Sequence, residues 1–478
     1  MIKNMDIEKQ KKRQSLRVII SEIIMVFAVV VTVTILAFIV SGYWINSDFE
    51  LERQGMLQIS SIPSGANVEI DGDSPWLQRT NTSKVLASGE HKIVLTKDGY
   101  DSWSKTINIK EGLLYRLHYP RLFLTERTSE HMLPITGDTM ATVSPDHATM
   151  VFVNNTTKWS FLNLNSDKLE PKPLDISKAF SSVSLAESSS TGLFTGEIIK
   201  TDWDNDGDHV LFKVRQDDKI EWVLIDLHDV AKSVNITKEF SADFSDIKIL
   251  DNSANNLLAV RNHNLHKIDV SGKQISSVLV ENIINFDHFD NEIVFTAKHA
   301  NITVDQPTDT EYYIGYFKLG DDEITELESL DAPAEVVLSR FYDKKYITIL
   351  DGNQLSVHLK DDYSEITKYE LSFAPDQMIV GHDGEFILMS TNNNLATLDM
   401  EADLVREWTI ENSHFDWLDN DMLYTVSDGE LIVYDFDGYN RRSIAKNTSA
   451  HFPVAITDNK WLYYVSDDEL IREWIVEH

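Results

Sequence analysis

The 478-residue chain has no cysteine. That excludes disulfides, thiolate metal sites and a cysteine nucleophile. Small secreted domains often lean on disulfides, so the folded parts of this chain must hold by their cores alone. Basic residues are in short supply: 43 Lys and Arg stand against 77 Asp and Glu, a formal charge of −34. Such a surface repels phosphate backbones, which excludes nucleic acid as a partner. Catalytic and cofactor signatures are missing as well. The chain has no His-Glu-x-x-His, no Gly-x-Ser-x-Gly elbow, no phosphate loop and no dinucleotide fingerprint. His263 and His266 are three apart, a spacing that puts them on opposite faces of a strand. The sequence therefore offers no catalytic residues and no cofactor.

One stretch lacks charge altogether. Ile23 to Val40 is rich in Val, Ile, Phe and Leu, with Thr32 and Thr34 its only polar members. A helix of about 20 such residues crosses a bilayer core. Lys3, Lys9, Lys11, Lys12, Arg13 and Arg17 precede the run, and Asp48, Glu50 and Glu52 follow it. Basic flanks stay inside, so the expectation is a cytoplasmic tail at 1–17, a single transmembrane helix at 18–44 and everything after it outside the cell. The run is longer than the apolar region of a cleaved signal peptide, and no Ala-x-Ala site follows it.

After a short tether at 45–54, the pattern changes to period two. Leu57 and Ile59 alternate, as do Val68 and Ile70, then Ile93 and Leu95, then Ile107 and Ile109. Gly, Pro, Asp and Ser clusters separate these runs, which predicts half-buried antiparallel strands joined by tight turns over residues 55–123. Within this stretch, Pro63-Ser64-Gly65-Ala66-Asn67-Val68-Glu69-Ile70-Asp71-Gly72 resembles the signature of the PEGA domain. Ser64 stands where that family usually has Glu, and Ser74-Pro75-Trp76 opens a longer excursion than the family's. Ser88-Gly89-Glu90-His91 and Lys97-Asp98-Gly99-Tyr100 fit its later features. The resemblance implies a compact β-sandwich-like module of extracytoplasmic proteins, without catalytic residues.

From residue 131 to the end, one theme recurs. A turn rich in Asp, Asn or Gly leads into a short apolar strand. The eight such strands are Met150–Val153, Val210–Phe212, Leu257–Val260, Ile293–Phe295, Tyr346–Ile349, Phe386–Met389, Met422–Tyr424 and Trp461–Tyr464. Onsets spaced by about 35 to 60 residues with paired strands suit blades of roughly 40–50 and predict a β-propeller of seven or eight blades. A pair of stacked β-sandwiches is the structural rival. Ser144-Pro145-Asp146 and Tyr434-Asp435-Phe436-Asp437-Gly438 resemble blade segments of the TolB-like propeller group, and the Trp-Asp signature of WD40 repeats does not recur from repeat to repeat. The whole is thus expected to be all-β behind one membrane helix.

The segment Asp202-Trp203-Asp204-Asn205-Asp206-Gly207 has the first half of a calcium loop. Lys213 occupies the position of its bidentate carboxylate, and Val210-Leu211-Phe212 reads as a strand, so a turn is the favoured reading. Asp202, Asp204 and Asp206 stay as candidates for a non-EF cation site. Trp461 and Tyr463 lie in strand patterns and suit inter-blade cores, with an aromatic sugar-binding face as the alternative. The expected function is a non-enzymatic scaffold of the cell envelope, held to membrane lipid by the N-terminal helix. The PEGA-like module would act as stalk or adaptor, and the propeller would bind an envelope protein or a cell-wall glycan. The alternative is a glycan or peptide hydrolase of the wall with carboxylates at the propeller mouth.

Overall fold

The computed structural model describes residues 22–34, 36–37, 43–45, 51–73, 78–135, 140–154, 158–176, 179–180, 197–216, 218–250, 254–299, 311–321, 323–381, 383–410, 415–450 and 452–476. The expected cytoplasmic tail, the flanks of the expected membrane helix, most of the tether before Leu51 and Ser74-Pro75-Trp76 lie outside the described residues. Residues 22–34 are helical and exposed throughout. Among the described residues no helix is long and apolar enough to cross a membrane.

The chain divides into two compact units, 1–125 and 126–478. Charge divides with them. The first unit takes 15 of the 43 basic and 13 of the 77 acidic residues, leaving 28 and 64 to the second, a net of −36.

The first unit holds seven described strands: β1 (Tyr43–Ile45), β2 (Leu51–Ile59), β3 (Asn67–Ile70), β4 (Thr82–Ala87), β5 (Gly89–Thr96), β6 (Trp103–Ile109) and β7 (Leu114–Leu117). β2 pairs with β1, β4 and, in parallel, β7, while β3, β5 and β6 form a second sheet. Tyr43–Ile45, expected where the membrane helix passes into a tether, is therefore a strand of the module. Leu57, Ile59, Val68, Ile93, Leu95, Trp103 and Ile109 fill the core between the sheets. The turn residues work as their chemistry requires. Asp71 and Gly72 both take positive φ, which a two-residue hairpin turn demands. The Asp71 carboxylate then accepts the Lys92 N–H and lies 2.6 Å from His91 Nδ1. Ala66 is fully buried, and its N–H donates to Thr80 Oγ1.

The second unit contains eight four-stranded antiparallel sheets among the described residues. They run in chain order at 140–174, 197–235, 246–275, 283–330, 335–370, 377–409, 415–445 and 455–474. We call them blades 1 to 8, with strands a to d in each. The d strand of blade 8 comes from the start of the unit: β8 (Ser129–Pro134) pairs with Glu469–Trp474. Blades pack face to face through successive apolar layers, such as Val294, Ile314, Val336 and Ile347 between blades 4 and 5. Met150, Phe152, Tyr463 and Leu470 form the corresponding layer between blades 1 and 8, so the ring closes. Tyr463 belongs to this core, as expected, and its hydroxyl donates to the Leu164 carbonyl at 2.7 Å. The second unit is thus an eight-bladed β-propeller.

Each of the eight apolar strands read from the sequence is a b strand. These lie inside a sheet and between two neighbouring blades, so both faces are buried and the apolar run is continuous. Phe386–Ser390 is buried along its whole length.

Candidate binding site

Inner a strands are open edges, with N–H groups that no strand pairs. Blades 2, 4 and 5 meet this with carboxylates on their a strands, each serving the next blade along. The Ile249 N–H of blade 3 donates to Asp202 Oδ2 of blade 2 at 2.7 Å. The Leu338 N–H of blade 5 donates to Asp287 Oδ2 of blade 4 at 3.0 Å. Met378 of blade 6 gives its N–H to Glu335 of blade 5 in the same way. Lysines alternate with these acids. Lys200 of blade 2 bonds Asp246 of blade 3 at 2.6 Å, and Lys248 of blade 3 bonds Asp287 of blade 4 at 2.8 Å. The result is a belt of ion pairs from blade 2 to blade 4, continued to blade 6 by carboxylates that accept backbone N–H groups.

Burial raises the Asp202 carboxyl above its ordinary value, against the Ile249 bond and Lys248. Burial raises Glu335 too. Burial also opposes the charges of Asp287 and Lys248, but their mutual attraction outweighs it, lowering the carboxyl and raising the ammonium. The two raised carboxyls belong to separate blades, 2 and 5: Asp202 feels Lys248, Lys200 and Asp246, while Glu335 feels Asp376. Each is also committed to a backbone N–H. Acid–base hydrolysis needs two carboxyls converging on one bond, and these do not supply it.

The three candidate cation ligands are split among different tasks. Asp202 caps the neighbouring blade. Asp204 is buried at the a–b turn of blade 2, where Oδ1 accepts the Asp208 and His209 N–H groups and Oδ2 lies 2.6 Å from His209 Nδ1. Asp206 is exposed at the tip of that turn. They form no three-ligand group among the described residues. The calcium-loop spacing is a blade turn, and Gly207 takes the positive φ of its last corner. The same use of Asp recurs where Asp419 Oδ1 accepts the Asp421 and Met422 N–H groups in blade 7.

One open cleft of about 280 Å³ lies between blades 1 and 2, lined by Met140, Thr142, Trp159, Ile198, Lys200 and Phe212 among others. Trp203 Nε1 donates to Thr142 Oγ1 at 2.9 Å and ties the two a strands at its edge. The Trp159 ring stacks on Phe180 at 5.4 Å and backs the cleft. An aromatic floor beside hydroxyls and one lysine can hold a ligand by packing and hydrogen bonding. These side chains provide no nucleophile with an adjacent base. Sequence reading missed this cleft, because its walls come from strands some 60 residues apart (Thr142 and Thr201).

Comparison with known proteins adds the following. A family model described as "PEGA domain" matches residues 54–120. Among curated proteins none matches the chain. The Dos1 propeller aligns with a TM-score of 0.44 at 11% identity, over 73% of this chain and 94% of its own. The Cps50 (Swd1) β-propeller domain of Myceliophteria thermophila aligns at 0.41 and 10%, over 74% and 100%. Apo AztD from Citrobacter koseri aligns at 0.40 and 10%, over 80% and 94%. The propeller assignment rests on the eight sheets and their closure, and the PEGA match identifies the module that precedes them.

Proposed function

We propose that this chain is a membrane-anchored binding scaffold with its PEGA module and propeller outside the cell. The module serves as stalk or adaptor, and the propeller presents the cleft between blades 1 and 2 to an envelope protein or a wall glycan. The observation that carries this reading is the belt between the blades. Its half-buried carboxylates are spent on backbone N–H groups and lysines, so the ring is built to be rigid and not to react. The anchor rests on the uncharged run Ile23–Val40, whose helical part leaves large side chains such as Phe27 exposed and in need of a covering medium. The acidity of the second unit suits life in water beyond an anionic lipid surface.

The test is cross-linking of the full chain in intact cells, followed by identification of the captured molecules, beside surface protease treatment of protoplasts. Capture of envelope proteins or wall fragments, weakened by Thr142→Trp in the cleft, is the expected result. Protection of the propeller from external protease sinks the proposed topology. Unchanged capture by the Thr142→Trp chain removes the cleft from the binding role.

A further inference from the structure

An apolar row crosses the outer face of one sheet of the first unit. Met56 on β2 pairs with Val85 on β4 and with Leu114 on β7. Directly paired residues share a face, and this one is opposite to Leu57 and Ile59, which are fully buried. Met56, Val85 and Leu114 are all exposed, as is Leu113 beside them. Scattered exposed apolar residues are ordinary, but a row opposed across three strands marks a contact surface. The paired positions on either side are Gln54 with Ala87, and Gln58 with Ser83 and Arg116. In a chain with 77 acidic residues this set has none. Arg53, which alternates to the other face of β2, neutralises Glu111 as an ion pair.

Where the chain comes from decides what covers the row. Tyr43 pairs with Arg53, three positions from Met56, or about 10 Å along β2. Val40, the end of the uncharged run, is three residues before Tyr43 and so at most about 10 Å further. The sheet is therefore tied within about 20 Å of the apolar segment's end. We propose that the row Val85–Met56–Leu114 rests in the headgroup layer of the membrane that holds the N-terminal helix. This rests on the anchor reading of the proposed function. Apolar side chains with an arginine at their margin suit that layer, where hydrocarbon contact and anionic headgroups both contribute. A second copy is the poorer occupant, because a stable protein interface takes roughly 800 Å² per partner, far more than three or four side chains supply.

The absence of cysteine makes the test direct. Single variants V31C, V85C, L114C and E90C of the full chain carry an environment-sensitive fluorophore in vesicles of phosphatidylcholine and phosphatidylglycerol, with and without brominated acyl chains. E90C sits on β5 of the other sheet. Loss of emission with brominated lipid at V31C, V85C and L114C, with E90C unaffected, is the expected result. Quenching at V31C without quenching at V85C and L114C overturns the proposal and leaves the anchor standing. No quenching at V31C overturns the anchor and the proposal with it. Emission at V85C that follows protein density in the vesicles and ignores bromine assigns the row to a second copy, which also overturns it.

Discussion

Phe295 lies across Gly315, its partner on the neighbouring strand of blade 4, so that its ring fills the space a side chain would take. A Cβ at Gly315 would meet Phe295 Cζ at 2.2 Å. The ring is fully buried and packs edge-on against Tyr313 and Phe317 at 5.7 and 6.0 Å. It cannot swing aside without opening the layer between blades 3 and 4. Gly315→Ala should therefore destabilise the propeller by about 2 kcal/mol through overpacking, read as a lower urea midpoint by tryptophan fluorescence. Gly315→Ala combined with Phe295→Leu should recover part of the loss. A single variant as stable as the native chain contradicts this packing.

Glu292 joins blades 4 and 5. Its carboxylate takes Lys345, Lys360 at 3.0 Å and the Tyr316 hydroxyl at 2.7 Å. Burial works against the charge, but these three donors outweigh it and hold the carboxyl down at about 2, while burial and Glu292 push Tyr316 up to about 12. A depressed carboxyl stabilises the fold above its unfolded value and loses that contribution as pH falls toward the folded one. Here the window runs from about 4.5 down to about 2, and the contribution at neutral pH is about 2–3 kcal/mol after allowance for solvent screening. Glu292→Gln should cost that much at pH 7. The gap between variant and native midpoints should narrow below pH 4. A gap that stays constant with pH refutes the charge-based account.

His209 reports a shift of the opposite sense. The Asp204 bond raises its affinity for a proton, burial opposes this, and the charges of Asp204, Asp226 and Asp208 add to it. The second ring nitrogen lies 3.7 Å from Asp226. A raised histidine contributes stability that is fully present below the unfolded value near 6.5 and is lost as pH rises through the folded value. The a–b turn of blade 2 should therefore exchange its amide hydrogens more slowly at pH 5.5 than at pH 8.5, after correction for intrinsic rates. His209→Gln should abolish the difference. Equal protection in the native chain at both pH values would count against a charged His209.

The b strands announced the propeller because each is buried on both faces. The d strands were silent for the converse reason. Glu365–Glu370 and Thr325–Leu330 lie at the outer edge, largely exposed, and carry no apolar run. The a strands were silent because their charged residues serve a neighbour. Asp202 caps Ile249, 47 residues away, and no local spacing reveals that partner. The calcium-like segment read as a turn, but its acids are sorted by turn geometry and by the next blade, a division that no local spacing reveals. One signal was read only at Tyr434-Asp435, although it recurs. An apolar residue followed by Asp closes four c strands, at Ile225-Asp226, Ile268-Asp269, Leu398-Asp399 and Tyr434-Asp435. In blades 2, 3 and 6 the carboxylate accepts N–H groups of the c–d turn, as Asp399 Oδ1 does from Glu401 and Ala402. In blade 7 Asp435 takes the Asn440 side chain at 2.7 Å. The cleft between blades 1 and 2 had no such local signature.

Closure of the ring depends on the outer strand that the unit's N-terminal end lends to blade 8. Arg472 reaches Glu130 on β8, with Nε at 3.0 Å, and also donates to the Ser166 and Asp167 carbonyls of blade 1. Its guanidinium stacks over Trp461 at 4.3 Å. Burial opposes the charge on Arg472, yet Glu130 and Tyr463 keep its affinity for the proton raised. The same side chain thus fixes the borrowed strand and the next blade. Arg472→Ala should cost about 2–3 kcal/mol, because Glu130 and two carbonyls lose their donor together. Arg472→Lys should rescue little, since a point charge cannot serve the fork of acceptors. The sharper readout is hydrogen exchange: β8 and the blade 1 segment at 164–169 should open in concert in the variant, while blades 3 to 6 keep native protection. Uniform loss of protection around the ring would mean that Arg472 supports the fold at large and does not act as its clasp.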